Sequence, residues 1–249
     1  MEGGIRNCPS SIAHAFEQYY IKLLGTPGVQ RTHVKQEIVD RGPRFDAQQA
    51  QMLTHHVTDE EIKKAMFSIP GKKAPGPDGF NSTFFKESWH ITGPEVCEAV
   101  RDFFVHGRML KEVNCTRLTL IPKVSHPNSV TEFRPIACCN TVYQCITKII
   151  CNRLKRVLPG LISPNQSGFV QGRRIVHNVS IIQDLVGMYN RKSSPPGCLL
   201  KIDIRKAYDS VQWGFLKEML ESLNFPGKFV SWCRHLHLSS LGTIEQVDD

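Results

Sequence analysis

Apolar residues recur at helical spacing along most of the chain and change to strand spacing in one stretch near its middle. Ile12, Ala15, Phe16, Tyr19, Tyr20, Leu23 and Leu24 fall on one helical face that Gly25 closes. From Thr26 to Thr54 no period holds, and this polar stretch dotted with Pro and Gly reads as a connector with at most one short helix. The signal sharpens at Thr58-x-x-Glu61, a capping box, after which Ile62, Ala65, Met66 and Ile69 keep helical spacing until Pro70-Gly71 ends the run. Two prolines and two glycines in Pro75-Gly76-Pro77-Asp78-Gly79 then force a rigid, non-helical path. Asp78 reads there as a turn former, since its carboxylate can bond its own downstream backbone while Gly79 supplies a positive φ. A second amphipathic helix is predicted from Pro94 to His106.

The period then changes. Thr116 to Val124 is rich in β-branched and apolar residues, Ser125 to Ser129 reads as a turn, and Val130 to Ala137 as the returning strand. Such a hairpin brings Lys123 and Arg134 to one end of a ribbon. Val142, Ile146, Ile149, Ile150, Leu154, Val157 and Leu158 mark a long helix ending at Pro159-Gly160, with Lys148, Arg153, Lys155 and Arg156 on its other sides. Residues 165–174 have the Gly and polar content of a shaped loop, and Ile175 to Tyr189 permits another helix. Cys198 to Ile204 reads as a short strand carrying Lys201 and Asp203. A last helix from Asp209 or Ser210 directs Val211, Phe215, Leu216, Met219, Leu220 and Leu223 to the core. The order of elements is α+β.

Composition narrows the function classes. Thirty-one Lys and Arg against 23 Asp and Glu leave a net charge of +8, which favours a polyanionic partner, nucleic acid before a membrane surface. Nine cysteines are an odd number, no leader-like segment opens the chain and no Cys-x-x-Cys pair occurs, so an interior reducing compartment with free thiols is expected rather than disulfides or structural zinc. No apolar run approaches the ~20 residues of a membrane helix, so no membrane partner is expected.

Five strings then occur in order: Lys73-Ala74-Pro75-Gly76-Pro77-Asp78-Gly79, Leu120-Ile121-Pro122-Lys123, Phe133-Arg134-Pro135-Ile136, Asn165-Gln166-Ser167-Gly168-Phe169, and Lys201 to Asp209 (Lys-Ile-Asp-Ile-Arg-Lys-Ala-Tyr-Asp). Together, across Thr58 to Leu223, they resemble the reverse transcriptases of LINE-type (non-LTR) retrotransposons, the plant branch in particular. The resemblance implies the fingers and first palm elements of a right-hand polymerase at 58–232, a helix and linker at 1–57 that would join an upstream endonuclease, and a divergent tail at 233–249. It also implies nucleotidyl transfer by two-metal chemistry on an RNA template, a DNA primer and a deoxynucleoside triphosphate (dNTP).

Residue by residue, the resemblance makes Asp203 a catalytic Mg2+ ligand with help from the carbonyl of Ile204, an assignment that suits magnesium's demand for hard oxygen ligands. As a bare residue, Asp203 reads instead as a cap of the helix that follows. Tyr208 matches the bulky side chain that excludes a ribose 2′ hydroxyl, and otherwise reads as a core aromatic beside a turn. Lys123 and Arg134 match the basic residues that grip the triphosphate, where charges must be neutralised and oriented; alone they read as solvated surface. Gln166, Gly168, Gln171 and Arg173 match a loop that approaches the template, and otherwise form an ordinary surface turn.

The family's second carboxylate motif, an aromatic-Ala-Asp-Asp turn, does not occur in these 249 residues, and Asp248-Asp249 lies too close to Asp203 to replace it. The expectation is a polymerase domain truncated before that motif and inactive as it stands, with a non-catalytic RNA/DNA-binding remnant or a non-functional pseudogene product as alternatives. Residence in nucleus or cytoplasm follows from the family's life cycle alone, and the sequence leaves oligomeric state unknown.

Overall fold

A computed structural model describes residues 8–25, 33–189, 198–203 and 211–240. Helix α1 (Pro9–Gly25) is where the first apolar stripe put it. The supposed connector holds two helices rather than at most one, α2 (Gln36–Val39) and α3 (Ala47–Thr54). The second is started by a reciprocal capping box, in which Gln49 N donates to Asp46 Oδ1 at 2.7 Å and Asp46 N to Gln49 Oε1 at 3.1 Å. It carries the fully buried Leu53 into the core.

Thr58 caps α4 (Asp59–Ser68) by accepting from Glu61 N at 3.2 Å. The Glu61 side chain does not close the box but turns to Arg153. A short α5 (Ser82–Glu87), capped by Asn81, precedes α6 (Trp89–His106). The latter begins five residues ahead of Pro94, which it absorbs by giving up the one hydrogen bond that proline cannot donate. Gly107 ends α6 in the left-handed conformation, φ 69°.

Strands β1 (Thr116–Pro122) and β2 (Phe133–Cys139) form an antiparallel ribbon with Ile121 opposite Arg134 and Thr116 opposite Cys139. Val130–Glu132, expected as strand, is a 3₁₀ turn because Ser129 and Glu132 cap it reciprocally. Helix α7 (Thr141–Leu161) runs through Pro159-Gly160 instead of stopping there, since proline's φ suits the last helical turn. Next come α8 (Ile175–Tyr189), α9 (Trp213–Ser222) and α10 (Gly227–Ser240).

The core is helical. α4 packs on α7, with α3, α5, α6 and α10 around them. Ile62, Met66, Val100, Phe103, Ile146 and Ile149 are fully enclosed, and Trp232 packs edge-on against Phe104 with centroids 4.8 Å apart. Residues 233–240 continue α10, and Leu236 is buried in the same core.

Three expectations fail here. Residues 198–203 form no strand, and Leu199, Leu200 and Ile202 are exposed, because a strand exists only against a partner and none lies beside them among the described residues. Val211, Phe215 and Leu216 near α9 are likewise exposed, and only Leu220 and Leu223 reach the core. Arg153, expected away from the apolar face of α7, is 2% exposed. Its guanidinium meets Glu61 at 2.9 and 2.7 Å and donates to the carbonyls of Leu53 at 3.0 Å and His55 at 2.8 Å. It lies over the Phe104 ring, 5.6 Å from the centroid.

Candidate functional site

Four stretches of the chain hold the residues that the sequence singled out, and three of them lie wholly within the described residues. The first is the tip of the β1-β2 ribbon. Strand alternation puts Arg117, Thr119 and Ile121 on the same face as Arg134, and Lys123 continues that row just beyond β1. The face is solvent-exposed along β1, and Lys123 and Arg134 are exposed. The structure therefore brings these two together, as the hairpin pattern implied. Lys123 N donates to Glu132 O at 2.7 Å, and Lys123 Nζ to Thr131 O at 2.5 Å. Glu132 accepts instead from the backbone N–H groups of Asn128 and Ser129 at 2.6 and 3.2 Å. The one acid across from Lys123 is thus spent on the turn. Arg117, which sequence reasoning missed, is visible to the same alternation once the register is known.

The opposite face of the ribbon rests on α1. Phe133 and Phe16 meet edge to face at 5.0 Å, and α1 also touches the 130–132 turn. Helix α1 is thus a support for the ribbon.

The second piece is the Pro-Gly-rich loop. Asp78 Oδ1 accepts from Phe80 N at 3.0 Å and Gly79 has φ 77°, the turn-former role expected of them. What sequence reasoning missed is Asn140, buried between β2 and α7. Its Oδ1 accepts from Asp78 N at 3.2 Å, and its Nδ2 donates to the carbonyls of Glu112 at 2.8 Å and Val113 at 3.2 Å. Thr141 Oγ1 adds a bond to Phe80 O at 2.8 Å. Gly76 is obligatory here, because a Cβ would come within 2.2–2.7 Å of Asn140 atoms. The loop is so locked to the root of the ribbon, while Phe80 and Phe84 sit partly exposed with rings 4.5 Å apart.

The third piece is the 163–174 loop. Arg173, expected to reach a template, directs its fork inward to the carbonyls of Ser163, Gln166, Pro159 and Ile162, the last three at 2.8, 3.1 and 2.9 Å. It organises the loop. Ser167 Oγ donates to Asn178 Oδ1 at 2.8 Å, and Asn178 Nδ2 to Asn165 O at 3.1 Å, tying the loop to α8. Gln171 is exposed, and Gln166 Nε2 donates to Gly168 O at 3.2 Å. The left-handed positions are Phe169 at φ 61°, which is strained, and Gly172 at φ 82°, which glycine adopts freely; Gly168 is not among them. A Cβ at Gly168 would meet only the Gln166 side chain, at 3.6 Å, so the protein's own packing does not require glycine there.

Asp203 ends the described segment 198–203 with its side chain exposed, and Ile204 and Tyr208 lie outside the described residues. An exposed carboxylate suits a hard cation, but one carboxylate is not a metal cage. Among the described residues no group of three His, Cys, Asp or Glu could hold a metal ion, and no helix is long and apolar enough to cross a membrane. The described thiols are free, and burial beside Cys97 pushes Cys145 up to about 12.

The described residues thus offer a basic ribbon face, a rigid Pro-Gly loop locked to its root and an exposed aspartate. Residues 121–247, a little over half of the chain, match the family described as reverse transcriptase (RNA-dependent DNA polymerase), and the chain belongs to that family. The match runs past Trp232 and takes in residues 233–247.

Two curated relatives place it further. The "Transposon TX1 uncharacterized 149 kDa protein" of Xenopus laevis is 29% identical over 234 residues, covering 93% of this chain and 18% of that protein. The "Retrovirus-related Pol polyprotein from type-2 retrotransposable element R2DM" of Drosophila melanogaster is 22% identical over 181 residues, covering 73% of this chain and 16% of that protein. The chain carries a reverse transcriptase domain related to those of non-LTR retrotransposon proteins, and spans less than a fifth of the length of these relatives.

Proposed function

We propose that this chain provides the fingers and first palm elements of an RNA-directed DNA polymerase that extends a DNA primer on an RNA template. The observation that carries the reading is the ribbon tip, where Lys123 and Arg134 share an exposed face and the facing acid, Glu132, is bound to the turn backbone. Arg offers a planar fork and Lys a point charge, which suits them to a triphosphate. Arg117 extends the same row toward a nucleic-acid backbone. The domain division at 58–232, with a joining segment at 1–57 and a tail at 233–249, belongs to this proposal, as does the right-hand architecture.

In this reading Asp203 is a magnesium ligand, and further ligands come from residues other than those described. Magnesium would supply charge neutralisation at the reacting phosphate. Tyr208 would crowd out a ribose 2′ hydroxyl, and Ile204 would offer its carbonyl. Of the template loop, Gln166, Gly168 and Gln171 remain candidates for contact with the strand, with Arg173 holding their backbone in place. Gly168 supports this, since the protein itself has room for a side chain at that position.

The test is binding of a poly(rA)/oligo(dT) hybrid alongside primer extension with magnesium and dTTP. For about four phosphate contacts, affinity should fall roughly a hundredfold between about 50 and 200 mM salt. Lys123→Ala with Arg134→Ala should flatten that slope without altering the melting temperature. With a single motif carboxylate, the 249 residues should bind without extending the primer, and in a protein that also holds the second carboxylate motif Asp203→Ala should abolish extension but keep binding. Salt-independent binding, or extension by the Asp203→Ala protein, would overturn the assignment.

A further inference from the structure

On α6 and the segment after it lies a groove that the polymerase reading leaves unused. Its volume is about 390 Å³, inside the ~300–1,000 Å³ range of clefts that take apolar anchors. Phe103, Met109, Val142 and Ile146 form an apolar floor. Leu110 also lines it and is 71% exposed, a large aliphatic side chain left in water.

The rim is acidic. Glu95, Glu98 and Asp102 stand at i, i+3 and i+7 along α6 and line the groove together, with Arg108 as the one cation among the described residues that line it. Asp102 reaches only the exposed His106, at 3.5 Å, and neither Glu95 nor Glu98 has an ion-pair partner among the described residues. Like charges one helical turn apart repel, so this face is held at a small cost in helix stability. It is also of opposite sign to a molecule with net charge +8, and a nucleic-acid backbone would be turned away from it.

We propose that this groove docks a basic amphipathic helix from a partner polypeptide. Leucine-like side chains of that helix would fill the floor, and its Lys or Arg residues would meet the three carboxylates. At 1.5 Å per residue, Glu95 to Asp102 spans roughly 10 Å, so a partner needs about two helical turns bearing cations at matching spacing. The site stands on the groove's own shape and charge, and is independent of whether the chain copies nucleic acid.

The experiment uses the full chain and a fluorescein-labelled peptide of about 14 residues, leucine at helical spacing and lysine elsewhere. Anisotropy should report saturable binding, weakened at least tenfold by Glu95→Lys with Glu98→Lys. Both positions are exposed, so that variant should keep the wild-type circular dichroism and melting curve. The same peptide with glutamate for lysine should not bind, and Lys123→Ala should leave binding unchanged. Absence of binding, equal binding of the two peptides, or indifference to the charge reversal would each overturn the proposal. So would self-association of the wild-type chain by sedimentation that the charge-reversal variant loses, because the groove would then belong to a second copy.

Discussion

Replacing Arg153 by Met should be among the most damaging single changes in this protein. The methionine keeps an unbranched apolar stem over Phe104 but removes every donor that holds Glu61 and the carbonyls of Leu53 and His55. Taking one partner out of a buried ion pair costs about 3–5 kcal/mol, most of it from the charge left behind. Glu61 is 26% exposed, so water recovers part of that cost for the carboxylate. The stranded carbonyls add their own desolvation, about 1–3 kcal/mol each and not additive. We expect a net loss of about 4 kcal/mol, a large share of the roughly 5–15 kcal/mol of a typical domain. In urea, with a slope of about 2 kcal/mol/M, the midpoint should fall by about 2 M. Adding Glu61→Gln to the variant removes the stranded charge and should restore about 1–2 kcal/mol, leaving the carbonyls' share. A single variant within about 1 kcal/mol of wild type, or a double variant no better than the single, would refute this account of the joint.

Three further expectations concern other parts of the fold. Gly76→Ala should cost about 1–3 kcal/mol in urea denaturation, because its methyl would collide with Asn140 atoms that are themselves fixed by two backbone segments. Phe16→Ala removes the ring under Phe133 and should speed amide exchange throughout Thr116–Pro122 and Phe133–Cys139, while exchange in α4 and α7 stays slow. The Cys145 thiol titrates near 9 when unfolded and about 12 in the fold, raised mainly by burial, so its contribution is complete below pH 9 and is lost as pH rises toward 12. The urea midpoint should therefore fall between about pH 8 and about pH 10.5 more steeply for wild type than for Cys145→Ala.

How far the sequence foretold the structure depended on whether the deciding interaction was local. Helices α4 and α7 were legible because their apolar spacing lies within the element, and in α4 the cap and the Pro70-Gly71 stop adjoin it. Helix α3 was legible too, in the Asp46-x-x-Gln49 box, but its weak apolar stripe hid it. Arg153 was not, since a pattern that scores arginine as polar cannot see Glu61, 92 residues away. The same holds for Asn140, which precedes a helix as a cap would but spends its side chain on two other loops. The run at 198–204 was apolar enough for a strand, yet strand formation belongs to the partner as much as to the segment. In the site, Lys123 and Arg134 were readable from alternation across a hairpin. Arg173 was misjudged because charge alone does not say whether a guanidinium points to solvent or to its own carbonyls.

Helix α8 bears on how such a chain fares in a cell. Ile175, Val176, Val179, Ile181, Ile182, Leu185, Val186, Met188 and Tyr189 are all exposed, and no residue of the helix is buried. These nine side chains form a broad apolar stripe opposite a polar arc of His177, Ser180, Gln183 and Asp184, and a stripe of that breadth is normally covered. During synthesis it leaves the ribosome well before any later segment could shield it, so hydrophobic-binding chaperones should have a long window on this stretch. Recombinant production will meet the same demand, and detergent or a fused solubility carrier is the practical answer to nine exposed apolar side chains on one helix.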